Sequence, residues 1–405
     1  MAGTDGAQDV WTVGRMLGWT RGYLEGKGDE HPRLSAEWLI CNVLGLTRVE
    51  LYMSFDRVFE QHELAAMRAA VLRRAAGEPL QYVTGEMPFR HIVLRCERGV
   101  LIPRPETEVL VDAALEGVDA ALARGCVFEA LPSEVAGAGD VTGAEEGADG
   151  EAPAGDEPQE AAERPPVSSF AATGADEDGD DEHVDPIVYV PGPEDGLRGG
   201  YVPGPGERPV TDAPSPDEGE AVEEAGEAPE PGPRVLEVGC GTGCVALSIA
   251  SERPGTQVVT TDLSPAAVSL ARRNRDALGL ADVVRVVECD LASGVPADLM
   301  GTFCVLVSNP PYIPSGVMPT LPQEVVGFEP GLALDGGPDG LDVFRRLLDL
   351  APRALAPGGT FCCELFETTL DAAADLVRAQ GGWASVEVRE DLTHRPRVLV
   401  ARREE

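Results

Sequence analysis

The chain has 405 residues and a formal net charge of −38 at pH 7. This length predicts two or three domains. The charge is uneven, because residues 129–233 contain 29 Asp and Glu residues against three Arg and no Lys, which leaves a net charge of −12 on the rest of the chain. Even that remainder is acidic, so a nonspecific grip on nucleic-acid phosphates is not expected.

The cysteine and histidine content argues against a metal site. The nine cysteines include no Cys-x-x-Cys pair, and there are only five histidines, so neither a zinc site nor a disulfide framework is predicted. Five cysteines occupy apolar strand or helix-start positions and are expected to be small buried hydrophobic residues: Cys240, Cys244, Cys304, Cys362 and Cys363. No apolar stretch approaches the roughly 20 residues needed to cross a bilayer, and no signal peptide is recognised. A cytoplasmic protein without a membrane partner is expected.

The N-terminal region predicts a small helical bundle, which we place at residues 1–79. Apolar residues at helical spacing indicate helices at residues 10–24, 35–44 and 60–76, with a short element at 48–53 between the second and third.

A β-hairpin is predicted after the bundle. Residues 80–100 alternate in polarity and carry β-forming residues, with Gly85 and Pro88 as breaks. The hairpin would link the bundle to a larger domain at residues 101–405.

The first helix of that larger domain is predicted from about residue 103 to residue 122. Pro105 and the acids Glu106 and Glu108 suit its first turn, where negative charge interacts favourably with the helix dipole. Two alternatives are open for Arg104 and Glu106: they face an active site, or they only fix the junction between the domains.

The composition changes abruptly at about residue 129. As far as about residue 232, Gly, Pro, Ala, Glu and Asp dominate, and apolar residues are too few to offset the entropy lost on ordering. We predict that residues 129–232 form a disordered acidic insertion within the larger domain.

A glycine-rich loop follows the insertion. Residues 235–247, Val-Leu-Glu-Val-Gly-Cys-Gly-Thr-Gly-Cys-Val-Ala-Leu, predict a strand, a loop and a helix. Glycine lets the backbone approach a ligand closely, and the helix N-terminus carries a partial positive charge. The spacing is G-x-G-x-G, not the G-x-G-x-x-G of dinucleotide-binding folds. The candidate binding residues of the loop are Gly239, Cys240, Gly241, Thr242 and Gly243.

Acidic residues end or follow the next two predicted strands. The strand at 258–262 ends in Asp262, a position at which an acid typically bonds a ribose diol. Ser264 then suits an N-cap and the following proline the first helical position, so a helix to about residue 278 is predicted. A third strand, at 283–288, is followed closely by Asp290.

The fourth strand, at residues 303–308, leads into Asn309-Pro310-Pro311-Tyr312. In open α/β sheets, ligands bind at the carboxyl ends of the strands. The prolines fix φ and lack an N–H, so the turn is stiff and local N–H groups cannot occupy its carbonyls. The Asn309 side-chain oxygen and the Pro310 carbonyl can each accept one hydrogen of a planar NH2 group, and Tyr312 can pack on its face. The sequence of this turn predicts a catalytic site that binds the NH2 group of an amide or of an exocyclic base amine. Pro311 is expected to contribute to substrate binding in the same turn.

The C-terminal part continues the alternation of helices and strands. Helices are predicted at residues 341–355 and 368–379, and strands at 360–366, 384–390 and 397–402.

The glycine loop follows the first of four successive predicted strands, and Asp262 ends the second. Asp290 follows the third strand, and the turn at Asn309 follows the fourth. This arrangement resembles the α/β, Rossmann-like sheet of S-adenosylmethionine-dependent methyltransferases. The resemblance implies S-adenosylmethionine as the cofactor, and a last strand that lies antiparallel between the fifth and sixth.

Four further segments resemble one methyltransferase family. They are residues 78–86 (Glu-Pro-Leu-Gln-Tyr-Val-Thr-Gly-Glu), 99–108 (Gly-Val-Leu-Ile-Pro-Arg-Pro-Glu-Thr-Glu), 328–330 (Phe-Glu-Pro) and 334–341 (Leu-Asp-Gly-Gly-Pro-Asp-Gly-Leu). The set is similar to the HemK/PrmC family, the glutamine methyltransferases that modify peptide chain release factors. The similarity covers nearly everything except the insertion. Leu-Ile-Pro-Arg-Pro-Glu-Thr-Glu together with Asn-Pro-Pro-Tyr is highly specific to that family, whereas either alone is not.

The resemblance also implies roles for individual residues. The loop from Gly239 to Gly243 would cradle S-adenosylmethionine beside Asn309, and Asp262 would hold the ribose. Asp290 and Leu291 would lie near the adenine. The family often has an aromatic residue in place of Leu291, so stacking on the adenine would be weaker here.

The implied substrate is the glutamine of the Gly-Gly-Gln motif of a class I release factor, with the helical bundle helping to dock it. Asn309 and the Pro310 carbonyl would hold the two amide hydrogens, and no metal would be needed. Two alternatives are open. An adenine-N6 methyltransferase of DNA or RNA would suit the same turn, but it would need a basic face to bind phosphates. A non-catalytic scaffold would not need the intact residues of the turn and the glycine loop.

Overall fold

The computed structural model describes residues 10–131 and 231–405. The predicted insertion at 129–232 lies outside the described residues, except for its first three and last two residues. None of the helices in the described ranges combines the length and apolar composition needed to span a membrane.

The N-terminal bundle consists of α1 (Val13–Glu25), α2 (Pro32–Leu44), α3 (Arg48–Met53) and α4 (Gln61–Ala75). Its core is built from apolar side chains of all four helices, including Val13, Leu24, Leu39, Ile40, Leu51 and Met67. Hydroxyl side chains cap two of the helices: Thr12 accepts from the backbone of α1, and Thr47 forms a reciprocal capping box at the start of α3. These caps satisfy backbone donors that the first turn of a helix leaves free.

A short helix, α5 (Leu80–Thr84), stands where the start of the hairpin was predicted. The antiparallel strands themselves are β1 (Glu86–Phe89) and β2 (Ile92–Arg95). Leu80 and Val83 both enter the core of the bundle, a spacing that places two side chains on one helical face. Burial of this face explains why residues with β-forming character adopt a helix here.

The larger domain is built on a seven-stranded sheet. After α6 (Thr107–Ala123), the strands are β3 (Arg234–Val238), β4 (Gln257–Asp262), β5 (Val284–Glu288), β6 (Phe303–Ser308), β7 (Leu355–Glu364), β8 (Trp383–Glu390) and β9 (Pro396–Arg403). The order across the sheet is β5-β4-β3-β6-β7-β9-β8. The strand β9 lies antiparallel between β7 and β8, which confirms the expected topology.

The helices of this domain cover both faces of the sheet. Besides α6 they are α7 (Cys244–Glu252), α8 (Pro265–Ala277), α10 (Asp342–Ala354) and α11 (Leu370–Gln380), and a short helix, α9 (Gln323–Val326), buries no residue. Successive strand residues such as Val305 and Leu306 enter opposite core clusters, one containing α6, α7 and α8 and the other α10 and α11. Four of the five cysteines expected in the core are buried, and Cys244 is partly buried.

The two ends of the predicted insertion meet. The backbones of Phe128 and Gly232 exchange two hydrogen bonds of 2.9 Å. The next residues also belong to the folded domain, because the Glu129 carbonyl accepts a hydrogen bond from Arg234 and Leu131 is buried. The structure therefore places the first residues of the predicted insertion, Glu129 to Leu131, against the sheet.

Candidate active site

The glycine loop connects β3 to α7 in a conformation that requires glycine. Gly239, Gly241 and Gly243 have φ values of +84°, +51° and +88°, a region that residues with a Cβ rarely adopt. The backbone N–H groups of Gly239 and Cys240 both donate to the Thr261 carbonyl, at 2.8 and 2.9 Å. The loop is thus fastened to the end of β4.

Asp262 fastens the same loop through its side chain. Its Oδ2 accepts a hydrogen bond from the Gly241 N–H at 3.0 Å, and its Oδ1 accepts one from the Ser264 N–H at 2.8 Å. Each carboxylate oxygen can accept more than one hydrogen bond, so Asp262 keeps capacity for further donors at the mouth of the loop.

The two residues expected near an adenine differ from each other in their surroundings. Asp290 forms an ion pair of 2.6 Å with Arg346 of α10. Leu291 has a φ of +50°, which is costly for a residue with a branched side chain. Its carbonyl accepts a hydrogen bond of 2.6 Å from the Thr261 hydroxyl, and this bond holds the unusual conformation in place.

A buried glutamate beneath the loop was not identified from the sequence. Glu237 in β3 is 1% exposed, and its carboxyl group accepts a hydrogen bond from the Thr260 hydroxyl. Burial raises the pKa of Glu237 to about 8. A glutamate flanked by apolar residues, in Val-Leu-Glu-Val, was the available signal.

The turn that follows β6 adjoins the glycine loop. The Ser308 hydroxyl donates to the Val238 carbonyl at 2.7 Å, and a Cβ on Gly239 would lie 3.7 Å from the Asn309 carbonyl oxygen. The predicted cofactor loop and the Asn-Pro-Pro-Tyr turn therefore share one edge of the sheet, at the carboxyl ends of β3 and β6.

The side chain of Asn309 is held from one side. Its Nδ2 donates to the Thr107 Oγ1 at 3.1 Å. Among the described residues, nothing donates a hydrogen bond to the Asn309 Oδ1 or to the Pro310 carbonyl oxygen. Consecutive residues thus carry two available acceptors on a turn that its two prolines keep stiff.

The segment 334–341 supports the turn from behind. The Ile313 N–H donates to the Leu334 carbonyl at 2.9 Å, and the Ile313 carbonyl accepts from the Gly336 N–H at 2.9 Å. A Cβ on Gly340, whose φ is +77°, would lie 2.4 Å from the Tyr312 carbonyl oxygen. Only glycine allows this close approach of backbone to backbone.

Tyr312 is tethered through its hydroxyl group. It donates a hydrogen bond of 3.0 Å to the Oε1 of Glu364, the last residue of β7. Glu364 is 1% exposed. Burial raises its pKa to about 7, and the hydroxyl groups of Thr107 and then Tyr312 oppose that rise.

Thr107 and Glu364 are two further site residues that sequence reasoning missed. Thr107 lies inside the segment 99–108, in which the sequence offers Arg104 and Glu106 as candidates to face an active site. Glu364 ends an apolar run, Phe-Cys-Cys-Glu, as Asp262 does in β4. An acid at the end of β7 was therefore a signal of the same kind.

The structure bears on the two alternatives for Arg104 and Glu106. Arg104 donates to both carboxylate oxygens of the buried Glu329, at 2.8 Å each, so it joins the segment 328–330 to the start of α6. Glu106 lies close enough to Glu364 for its negative charge to raise the pKa of that carboxyl group. The Arg104 pair lies within the larger domain, so the two alternatives stay open for Arg104, whereas Glu106 contributes to the charge around the turn.

Comparison with known proteins agrees with this architecture. Residues 15–85 match the model of the PrmC N-terminal domain, and residues 225–322 match the model of the methyltransferase small domain. A release factor glutamine methyltransferase of Geobacter sulfurreducens is 31% identical over 359 residues, which cover 88% of this chain and 85% of that protein.

Two further relatives carry the same name. The protein of Chlorobaculum tepidum is 31% identical over 386 residues, which cover 95% of each chain. That of Deinococcus radiodurans is 46% identical over 171 residues, which cover 42% of this chain and 58% of that protein. The resemblance found from the motifs is confirmed: the chain belongs to the release factor glutamine methyltransferase family.

Proposed function

We propose that this protein transfers a methyl group from S-adenosylmethionine to the side-chain amide nitrogen of the glutamine in the Gly-Gly-Gln motif of class I peptide chain release factors. The relatives' shared name supports the release factor as the substrate. The observation that carries the proposal is a pair of acceptors beside the glycine loop, Asn309 Oδ1 and the Pro310 carbonyl oxygen, to which no described residue donates a hydrogen bond. A cytoplasmic location goes with this proposal.

The residues of the loop fit the cofactor. Around Gly241, a position where a Cβ would meet nothing within 4 Å, the backbone is open to a ligand at the N-terminus of α7. The loop from Gly239 to Gly243 would cradle S-adenosylmethionine, Asp262 would hold its ribose, and Asp290 and Leu291 would lie by its adenine. When bound, S-adenosylmethionine supplies a methyl group on a sulfonium sulfur, which leaves as a neutral thioether.

The turn performs its part by holding both hydrogens of the substrate NH2 group. Asn309 Oδ1 and the Pro310 carbonyl each accept one, which leaves the nitrogen lone pair directed away from the turn. The nitrogen becomes positive as its new bond to carbon forms, so these acceptors bind the transition state more strongly than the ground state. Tyr312 would pack on the planar amide, as the sequence predicts. Both acceptors are too weakly basic to keep the proton that finally leaves, which passes to water.

The charge of the chain favours a protein acceptor over a nucleic acid. Outside residues 129–233 the net charge remains −12, which would repel phosphates. A glycine-flanked peptide loop carries no such penalty. Because any planar NH2 group fits the turn, the choice of substrate has to come from the surface around it.

Labelled S-adenosylmethionine tests this proposal. The protein is incubated with an intact class I release factor, with a matched factor in which the glutamine of Gly-Gly-Gln is replaced by alanine, and with duplex DNA. Label should enter the intact factor alone. A short Gly-Gly-Gln peptide should react poorly, because it lacks the contacts that dock the loop. Label in DNA, or equal labelling of both factors, would overturn the proposal.

A further inference from the structure

The side chain of Asn309 can face the substrate in two ways. A rotation of its amide by 180° exchanges the oxygen for the NH2 group. Only one orientation offers an acceptor to the hydrogens of a substrate amide, and the other would set two NH2 groups against each other. Something in the site therefore has to select the productive orientation.

The contacts around Thr107 supply such a selection. Thr107 accepts a hydrogen bond from the Asn309 Nδ2. Among the described residues, no acceptor in good geometry takes the hydroxyl hydrogen of Thr107 itself. The Glu364 Oε2 is buried and likewise has no partner in good geometry. Thr107 nevertheless lowers the pKa of the Glu364 carboxyl group, which indicates that the two side chains lie close together. These observations fit a Thr107 hydroxyl that lies close to Glu364 but is poorly aligned with it in this conformation.

We infer that Glu364 acts through Thr107 as a positioning residue that fixes the orientation of the Asn309 amide, an inference that rests on the proposed function. An ionised carboxylate can only accept hydrogen bonds. It therefore takes the hydroxyl hydrogen of Thr107, and the Thr107 oxygen is left to accept from an NH2 group. The Asn309 Nδ2 must then face Thr107, and Oδ1 faces the substrate.

The second oxygen of the same carboxylate holds Tyr312. Because Oε1 accepts the Tyr312 hydroxyl hydrogen at 3.0 Å, Glu364 ties both ends of the Asn-Pro-Pro-Tyr turn to the end of β7. A glutamine at position 364 has nearly the same shape but offers a donor as well as an acceptor. It can donate to the Thr107 oxygen, whose hydrogen then points at Asn309 and favours the unproductive amide orientation.

A purely structural role for Glu364 predicts something different. A buried carboxylate with one unpaired oxygen is not expected to stabilise a fold. The free-energy cost of removing the charge from water exceeds the favourable energy of its incomplete hydrogen bonding. If Glu364 only filled space, Glu364→Gln would keep the rate of methyl transfer and could stabilise the protein.

The test measures single-turnover methyl transfer to an intact release factor, at saturating factor and cofactor, together with cofactor affinity by calorimetry. Glu364→Gln and Thr107→Val should each lower the rate at least about tenfold, the scale of a small misplacement of a reacting group, with cofactor affinity within about twofold. Thr107→Ser keeps the hydroxyl and should retain most of the rate. The double variant should be no slower than the slower single variant, because both changes break one network.

Two matched controls lie at the opposite end of the sheet. Thr256→Val removes a buried hydroxyl that has no hydrogen-bond partner among the described residues. Glu252→Gln removes the charge of a glutamate that pairs with Arg90 at 2.6 Å. Both should keep the wild-type rate. Wild-type rates in Glu364→Gln and Thr107→Val would overturn the inference, as would a Thr107→Ser variant as slow as Thr107→Val. If the wild-type protein itself left the glutamine unmethylated, the proposed function would fail instead.

Discussion

The carboxyl edge of the sheet has two sides that are built differently. The cofactor side, defined as Gly239–Gly243 with Asp262, is close in sequence and is joined largely by backbone hydrogen bonds. The amide side, defined as Thr107, Asn309, Pro310, Tyr312 and Glu364, brings together three distant parts of the chain through side chains. Glycine conformation shapes the cofactor side. The amide side depends on which side-chain groups donate and which accept in its hydrogen bonds.

Because of this difference, we expect the two sides to control two separate quantities, the affinity for the cofactor and the rate of methyl transfer. Damage to the cofactor side should weaken cofactor affinity, whereas damage to the amide side should slow transfer with the cofactor still bound. Variants that mixed the two effects would break the distinction.

The largest effect is expected at Asn309. Asn309→Ala removes one of the two acceptors for the substrate nitrogen but leaves the glycine loop and Asp262 intact. The rate of methyl transfer should fall at least about 100-fold, in line with the loss of one preorganised polar contact, and cofactor affinity should fall much less. Single-turnover kinetics and calorimetry measure the two quantities. Near-normal turnover would remove Asn309 from the proposed role.

The converse change is Asp262→Ala on the cofactor side. It deletes an acceptor for the ribose and also releases the Gly241 N–H from its present bond of 3.0 Å. Hydrogen bonds to charged groups contribute about 1.5–3 kcal/mol, so cofactor affinity should weaken about 10- to 100-fold. At saturating cofactor, the transfer rate should stay close to wild type. Unchanged affinity in calorimetry would contradict the assignment of Asp262.

A smaller effect should appear in the pH dependence of the amide side. The pKa of Glu364 is raised to about 7 by burial, and only its ionised form fixes the Asn309 amide. Roughly a tenth of the group is ionised one pH unit below its pKa. The transfer rate should therefore fall up to about tenfold from pH 8 to pH 6, and Glu364→Gln should lose this dependence. A wild-type profile that matched the variant's would contradict the account.

Several charged or titratable groups face Glu364 and set the pH at which this change occurs. They are Arg397 from β9, Tyr312 from the turn, Glu106 from the start of α6, Cys244 from the start of α7 and the adjacent Cys363. Stability should change in the opposite direction to rate. Because the folded-state pKa of Glu364 lies above its unfolded value, this group's contribution to the free energy of unfolding declines as the pH rises from about 4.5 to about 7.

The smallest effect is expected from removing residues 132–230. Phe128 and Gly232 are hydrogen-bonded to each other, so a short linker from Leu131 to residue 231 can replace the segment without strain. A shorter loop costs less entropy to close. Melting temperature, cofactor affinity and transfer rate should stay near those of the full chain. Loss of folded, cofactor-binding protein would show that the segment is needed for the fold.

The two sides also differ in how far the sequence predicts them. The placement of the glycine loop beside Asn309 follows from local patterns, because the carboxyl ends of parallel strands meet at one edge. The antiparallel position of the last strand follows from the resemblance to the methyltransferase fold. The residues Thr107 and Glu364 could not be paired this way. They are 257 positions apart in the sequence, and only the packing of α6 against the strands brings them to the same turn.

Local pattern also failed where packing overrode propensity. Residues 80–84 carry β-forming residues, yet they form α5 because Leu80 and Val83 complete the core of the bundle. In the same way, Glu129 to Leu131 resemble the composition that follows them, but Leu131 is buried against the sheet. Tertiary burial, which a single sequence does not display, decided both segments.

Mass spectrometry of the methylated release factor tests the central claim most directly. After incubation of the full-length protein with S-adenosylmethionine and an intact factor, the factor is digested and its fragments are sequenced to locate the added methyl group. We predict a single methyl group on the side-chain amide nitrogen of the Gly-Gly-Gln glutamine, absent when Asn309→Ala replaces the wild-type enzyme for the same reaction time. A methyl group on a Lys or Arg of the factor, or on another glutamine, would contradict the account.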